Sequence, residues 1–181
     1  AYFFEPQVDA GLAFIRKMKS ALVGAQDISA TNEQLNQLIA EAEVALDTDA
    51  VLAASIKNAG NVLLPSVYVL GDQQGKPDNP LPPYALASTL DDPNGFSISA
   101  VRGQQPIASI GAAAAGIGHL NQFQDIDGAV RQEPLLVNYY GRAVPSLALL
   151  AAAKSLNLSA SDVHLNAGQS VQIGKLRVKT D

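Results

Sequence analysis

Apolar residues recur at helical spacing through the first third of the chain and gather into strand-like runs after it. Leu12, Ile15, Met18 and Leu22 lie three and four positions apart, with Arg16, Lys17 and Lys19 on other faces. That spacing predicts an amphipathic helix, capped by Asp9 and broken by Gly24. Before it, Tyr2, Phe3 and Phe4 read as the end of a buried strand stopped by Glu5-Pro6. Thr31 to Gln34 has capping-box spacing, and Leu35, Leu38, Ile39, Ala42, Val44 and Leu46 predict a second helix behind it. A third helix starts at Asp47 or Asp49, places Leu52 and Ile56 inside and ends at Asn58-Ala59-Gly60. Val62 to Leu70 is the clearest strand of the first half, although Pro65 cannot donate to a ladder and predicts a kink or a strand edge.

Gly71 to Pro83 is dense in Gly, Pro, Asp and Asn and reads as a surface loop, and Asp91 to Gly95 as a turn. From Ile107 to Leu150 the order is helix, strand, acidic turn, strand and helix. Pro106 suits a first helical position, and the small apolar run after it continues until Gly116. In Asp125-Ile126-Asp127-Gly128 short carboxylates can accept nearby backbone N–H groups and glycine tolerates positive φ, so the chain reverses. Leu135 to Tyr140 is β-prone and stopped by Gly141, with Tyr139 and Tyr140 on opposite faces of a regular strand. Val144-Pro145-Ser146 opens an apolar helix through Ala153, with Ser146 as its cap or Pro145 in its first turn. Asn157 and Ser159 to Asp162 form a polar connection, His164 after them is likewise read as lying in a connection, then Val171, Ile173, Leu176 and Val178 predict a terminal hairpin around Gly174. Helices alternating with strands give an α/β fold, a mixed β-sheet layered with helices, in a single domain over residues 1–181.

Composition narrows the class. With 181 residues, 48% of them apolar, the chain can bury a core. A formal charge of −5 and a pI near 4.9, with twelve Lys and Arg residues spread along the chain, argue against nucleic-acid binding. No cysteine is present, so disulfides, cysteine nucleophiles and thiolate metal sites are excluded. No run approaches the roughly 20 apolar residues of a membrane span.

The candidate chemistry is weak wherever it can be tested by spacing. Measured from Asp125, glycine comes fourth rather than sixth and no glutamate stands twelfth, which fails the EF-hand pattern. A structural turn with a salt bridge from Asp125 or Asp127 to Arg131 is the preferred reading. Ser146 lacks the flanking glycines of a nucleophile elbow. His119 beside an apolar segment reads as a packed residue rather than a base. Gly111 to Gly118 lacks the Lys and hydroxyl residue of a phosphate loop, so its glycines serve close packing. Arg102, Arg131 and Arg142 could hold an anion, with solvated or structural roles as the default. An enzyme would need Ser146, His119 and Asp125 or Asp127 in one cleft, and a purely structural dimerisation or protein-interaction module would need a broad apolar face.

Gly118-His119-Leu120-Asn121, Asp125-x-Asp127-Gly128-x-x-Arg131, Pro134-Leu135 and Pro145-Ser146-Leu147-Ala148 together resemble the CHASE domains of the second type, as does Asp49 to Leu64. These are extracellular sensory modules associated with cyclases and histidine kinases. The resemblance implies the extracytoplasmic input domain of a membrane-anchored bacterial receptor, with a nucleotide cyclase, histidine kinase, Ser/Thr kinase or cyclic-dinucleotide enzyme as output. It also implies a small-molecule or protein signal, with a homodimer as one arrangement. No catalytic residue, metal or cofactor is expected in the domain itself. The candidate ligand contacts are His119, Asn121, Asp125, Asp127 and Arg131. Such domains carry a strand, an acidic loop and a helix before the Tyr2 region, so the chain is expected to be a fragment cut at both ends.

Overall fold

A computed structural model describes residues 4–6, 9–23, 30–92, 95–166 and 168–180. Tyr2, Phe3 and Gly24 lie outside them, and Phe4 sits in a turn. The three predicted helices form as α1 (Ala10–Val23), α2 (Ala30–Leu46) and α3 (Thr48–Ala59). Asp9 Oδ1 accepts the Gly11 N–H at 2.6 Å and so caps α1. Asp47, rather than Asp49, caps α3 by accepting the Ala50 N–H at 3.0 Å, and Gly60 closes the helix at φ 68°. α2 begins one residue before Thr31, and the side chains of Thr31 and Gln34 lie outside the described residues. Leu12, Ile39 and Ile56 are buried, but Met18, Leu35, Leu38, Val44 and Leu52 are exposed. Helical spacing fixes which residues share a face, not whether another element covers that face.

Among the described residues the main sheet has six strands in the order β2-β6-β5-β3-β1-β4. β1 (Leu63–Leu70) pairs with β4 (Gly116–His119) in parallel along Leu63 to Ser66 and with β3 (Ile98–Gln104) antiparallel from Val67 onward. Pro65 therefore stands before the β3 ladder begins, where its missing N–H breaks no pairing on that side. The strand β3 is not announced by the pattern. Only Ala100 in it is fully buried, and Ser, Arg and Gly interrupt its apolar positions.

Between β1 and β3 the loop carries the short α4 (Pro83–Leu86) and β2 (Leu90–Asp91). The helix expected from Pro106 shrinks to one turn, α5 (Ala108–Gly111), and Gly116 begins β4 instead of ending a helix. Two strands follow where one was expected. β5 (Leu136–Tyr139) turns through Tyr140 (φ 51°) and Gly141 (φ 86°) into β6 (Arg142–Pro145). A two-residue turn with both φ positive matches strand twist and reverses the chain at once. Arg142 is consequently a strand residue, paired with Asp91 of β2. Tyr140 leaves the strand, so its ring meets Tyr139 edge-on at 5.1 Å instead of facing the opposite side.

Adjacent strand residues serve two cores. Val137, Tyr139 and Val144 join Ile56, Leu64, Tyr68, Ile110 and Ile117 on one face. Leu136 and Ala143 join Leu149 and Ala153 of α6 (Leu147–Ser155) on the other. Covered on both faces, β5 is buried throughout. A capping box at Ser159 and Asp162 leads into a separate three-stranded sheet of β7 (Val163–Asn166), β8 (Ser170–Ile173) and β9 (Leu176–Lys179). The expected hairpin turns at Gly174 (φ 54°), and His164 lies in β7 instead of a connection. Val163, Val171 and Ile173 seal this sheet onto the second core.

Candidate functional site

The end of β4 is a tightly built junction. A Cβ on Gly118 would stand 2.8 Å from Cα and N of Leu147, so only glycine lets the start of α6 approach β4 this closely. Ser146 Oγ accepts the Leu149 N–H at 3.1 Å, which makes it the helix cap, while Pro145 remains in β6. The backbones of His119 and Ser146 meet in an isolated parallel bridge. His119 is completely buried, and its Nδ1 accepts the Asn121 N–H at 3.2 Å, leaving the proton on Nε2. Nε2 makes no hydrogen bond among the described residues. Burial pushes its pKa down to about 4; the Leu135 carbonyl, already accepting the Ser146 N–H, offsets this only in part. Asn121 extends the sheet by one side chain: its Nδ2 donates to the Tyr68 carbonyl at 2.6 Å and its Oδ1 accepts the Tyr68 N–H at 3.1 Å.

Beyond Asn121 the chain forms an exposed hairpin. Gly128 N–H donates to the Asp125 carbonyl and Asp125 N–H to the Ala129 carbonyl, and Phe123 bridges Gln132 at the base. Arg131 clamps both carboxylates, reaching Asp125 Oδ2 at 2.5 Å, Asp127 Oδ1 at 2.9 Å and Asp127 Oδ2 at 2.7 Å. Its guanidinium and the Ala129 N–H hold the Asp127 carboxyl below the usual carboxylate range. The expected salt bridge is thus present, and it fixes a turn.

A buried carboxylate escaped the sequence reading. Asp92 is 2% exposed; it accepts the Phe96 N–H at 3.1 Å, the Ser97 N–H at 2.9 Å and Asn138 Nδ2 at 3.1 Å. Burial opposes its charge, but the bonds from Asn138, Ser97 and Phe96 outweigh that and hold the carboxyl low. Asn138 is held in turn by Gln73 Nε2, which donates to its carbonyl at 2.8 Å and its Oδ1 at 3.0 Å. Its Oδ1 also accepts the Gly141 N–H at 3.1 Å. The composition Asp-x-x-x-Phe-Ser within a turn was the available signal, but only the fold supplies Asn138.

These two devices wall one cavity of about 570 Å³ between the main sheet and the three-stranded sheet. The Asp92 turn contributes Phe96 and Ser97, the clamped hairpin contributes Phe123 and Gln132, and Val178, Lys179 and Thr180 close it from the β9 side. None of His119, Asn121, Asp125, Asp127 and Arg131 lines it. A second hollow of about 480 Å³ lies over β1 and β3, lined by Lys76, Arg102 and Tyr140 among others. Of the three arginines considered for anion binding, Arg131 and Arg142 are ion-paired, and Arg102 makes no ion pair among the described residues.

The geometry does not assemble the serine, histidine and aspartate that an enzyme reading would need in one cleft. Ser146 is sealed and engaged as a cap, no hydrogen bond joins it to His119, and both turn aspartates are held by Arg131 on the surface. Among the described residues, no group of three or more His, Cys, Asp or Glu residues could hold a metal ion, and no helix is long and apolar enough to cross a membrane. The CHASE2 domain matches residues 8–181, and the chain belongs to that family. CHASE2 domains are extracellular sensory domains of signalling receptors. No curated protein and no solved structure shows a significant match to the chain.

Proposed function

We propose that this chain is the extracytoplasmic input domain of a membrane-anchored bacterial receptor, whose cytoplasmic output is a nucleotide cyclase, a histidine or Ser/Thr kinase, or a cyclic-dinucleotide enzyme. The observation that carries it is the CHASE2 match over residues 8–181, together with a solvent-open cavity shared between two sheets. A ligand that fits one relative placement of those sheets better than another shifts the population toward it, and the shift is the signal. Dimerisation belongs to the same proposal, since α1, α2 and α3 leave Phe14, Leu38, Val44 and Val51 exposed for a second copy to cover.

Topology fusions to the parent gene test the placement. A reporter active only outside the cytoplasm should be active when joined after Asp181, and sedimentation of the detergent-solubilised parent should show a dimer. A reporter active only inside the cytoplasm at that junction would refute the reading.

A further inference from the structure

We infer that the cavity between the two sheets is the signal-binding site and that it takes a small zwitterion with an apolar body: a hydrophobic α-amino acid or a dipeptide of such residues. Its volume, about 570 Å³, falls within the range of about 300–1,000 Å³ typical of small-molecule sites. Its lining leaves large apolar side chains open to water around a single hollow. Phe96 is 59% exposed, and Ile98, Phe123 and Val178 are each more than a third exposed. Leu136 and Val171 form a buried wall.

Charge selects the ligand further. Glu133 and Lys179 line the same cavity, and among the described residues neither makes an ion pair or a side-chain hydrogen bond. The two are therefore too far apart to satisfy each other, and each is free to meet an opposite charge on a guest. A molecule carrying an ammonium and a carboxylate at one end of an apolar group answers both, with charge-assisted contacts at the mouth and the hydrocarbon against Phe96 and Phe123.

The position also explains how occupancy is felt. β9 is exposed along its whole length and, among the described residues, pairs only with β8. A guest touching Val178 and Lys179 on one side and the Asp92 turn and Arg131-clamped hairpin on the other ties a lightly held strand to two rigid supports. The consequence for signalling rests on the sensory reading above; the binding itself does not.

Isothermal titration of the 181-residue chain with L-phenylalanine, L-leucine and the dipeptide Leu-Phe tests it, with N-acetyl-phenylalanine and phenylalaninamide lacking one charge each. At least one zwitterion should bind, and its two blocked analogues should bind about tenfold more weakly or not at all. Glu133→Gln and Lys179→Ala should each weaken binding about tenfold while leaving the unliganded melting temperature unchanged, because both side chains are exposed. Absence of binding by all three zwitterions, equal binding of the blocked analogues, or full affinity in both variants would overturn the inference. The topology result is read separately: binding with a cytoplasmic reporter signal would sink the receptor and keep the site, and the reverse would sink the site alone.

Discussion

The sealed histidine at the end of β4 makes the domain acid-sensitive over a defined range. His119 has a pKa of about 4 in the folded chain, against 6.5 for an ordinary imidazole. The folded ring therefore stays neutral while the unfolded chain begins to protonate near pH 6.5. Between pH 6.5 and 4 the unfolded state binds more protons, so stability falls as pH falls. Above that window the contribution is complete; below it both states are protonated and nothing more is lost. At about 1.4 kcal/mol for each tenfold in proton affinity, the loss amounts to about 3 kcal/mol. That is a large share of the roughly 5–15 kcal/mol that holds a domain folded. The carboxyls of Glu43, Asp92, Asp127 and Asp162 are also held low; their contributions fade only as pH drops through the ordinary carboxylate range and below, so the upper part of the window belongs to His119. Urea unfolding at closely spaced pH values, for the native chain and for His119→Gln, reads the slope, and NMR titration of the His119 ring reads the midpoint. Equal slopes between pH 6.5 and 4, or a native-state midpoint above about 6, would refute the argument.

Two further substitutions probe how the cavity is supported. Gly118→Ala places a methyl group against the Leu147 backbone, which cannot swing aside as a side chain would, and should cost about 1–3 kcal/mol in denaturant unfolding; unchanged stability would show that α6 is free to move away. Asp92→Asn replaces one acceptor oxygen by an NH2 facing backbone donors, and should cost about 2 kcal/mol and speed hydrogen exchange at the Phe96 and Ser97 amides. Undiminished protection there would mean that the carboxylate does not hold the turn.

What could be read from the residues in order was whatever is decided locally. Asp9, Asp47 and Gly60 bound their helices through partners two to four positions away, and Arg131 meets Asp127 within one turn of chain. What could not be read depends on distant partners. Leu52 and Met18 have the spacing of core residues yet stay exposed. β6 is too short to show a period and exists because Tyr140 and Gly141 both take positive φ. Asp92 looks like a turn residue until Asn138, 46 positions later, closes over its carboxylate.

The cavity is the extreme case, since its walls come from turns, strands and the final hairpin between Phe96 and Thr180. This also resolves why the most recognisable residues do not face it. Asp125, Asp127 and Arg131 act on Phe123 and Gln132 through the hairpin, and Asp92 and Asn138 act on Phe96 and Ser97 through a turn. The charged groups that hold the walls and the side chains that line them are separate sets. A change of lining such as Phe96→Leu alters what the hollow accepts without touching the bonds that shape it, whereas a change at Asp92 alters the shape for every guest.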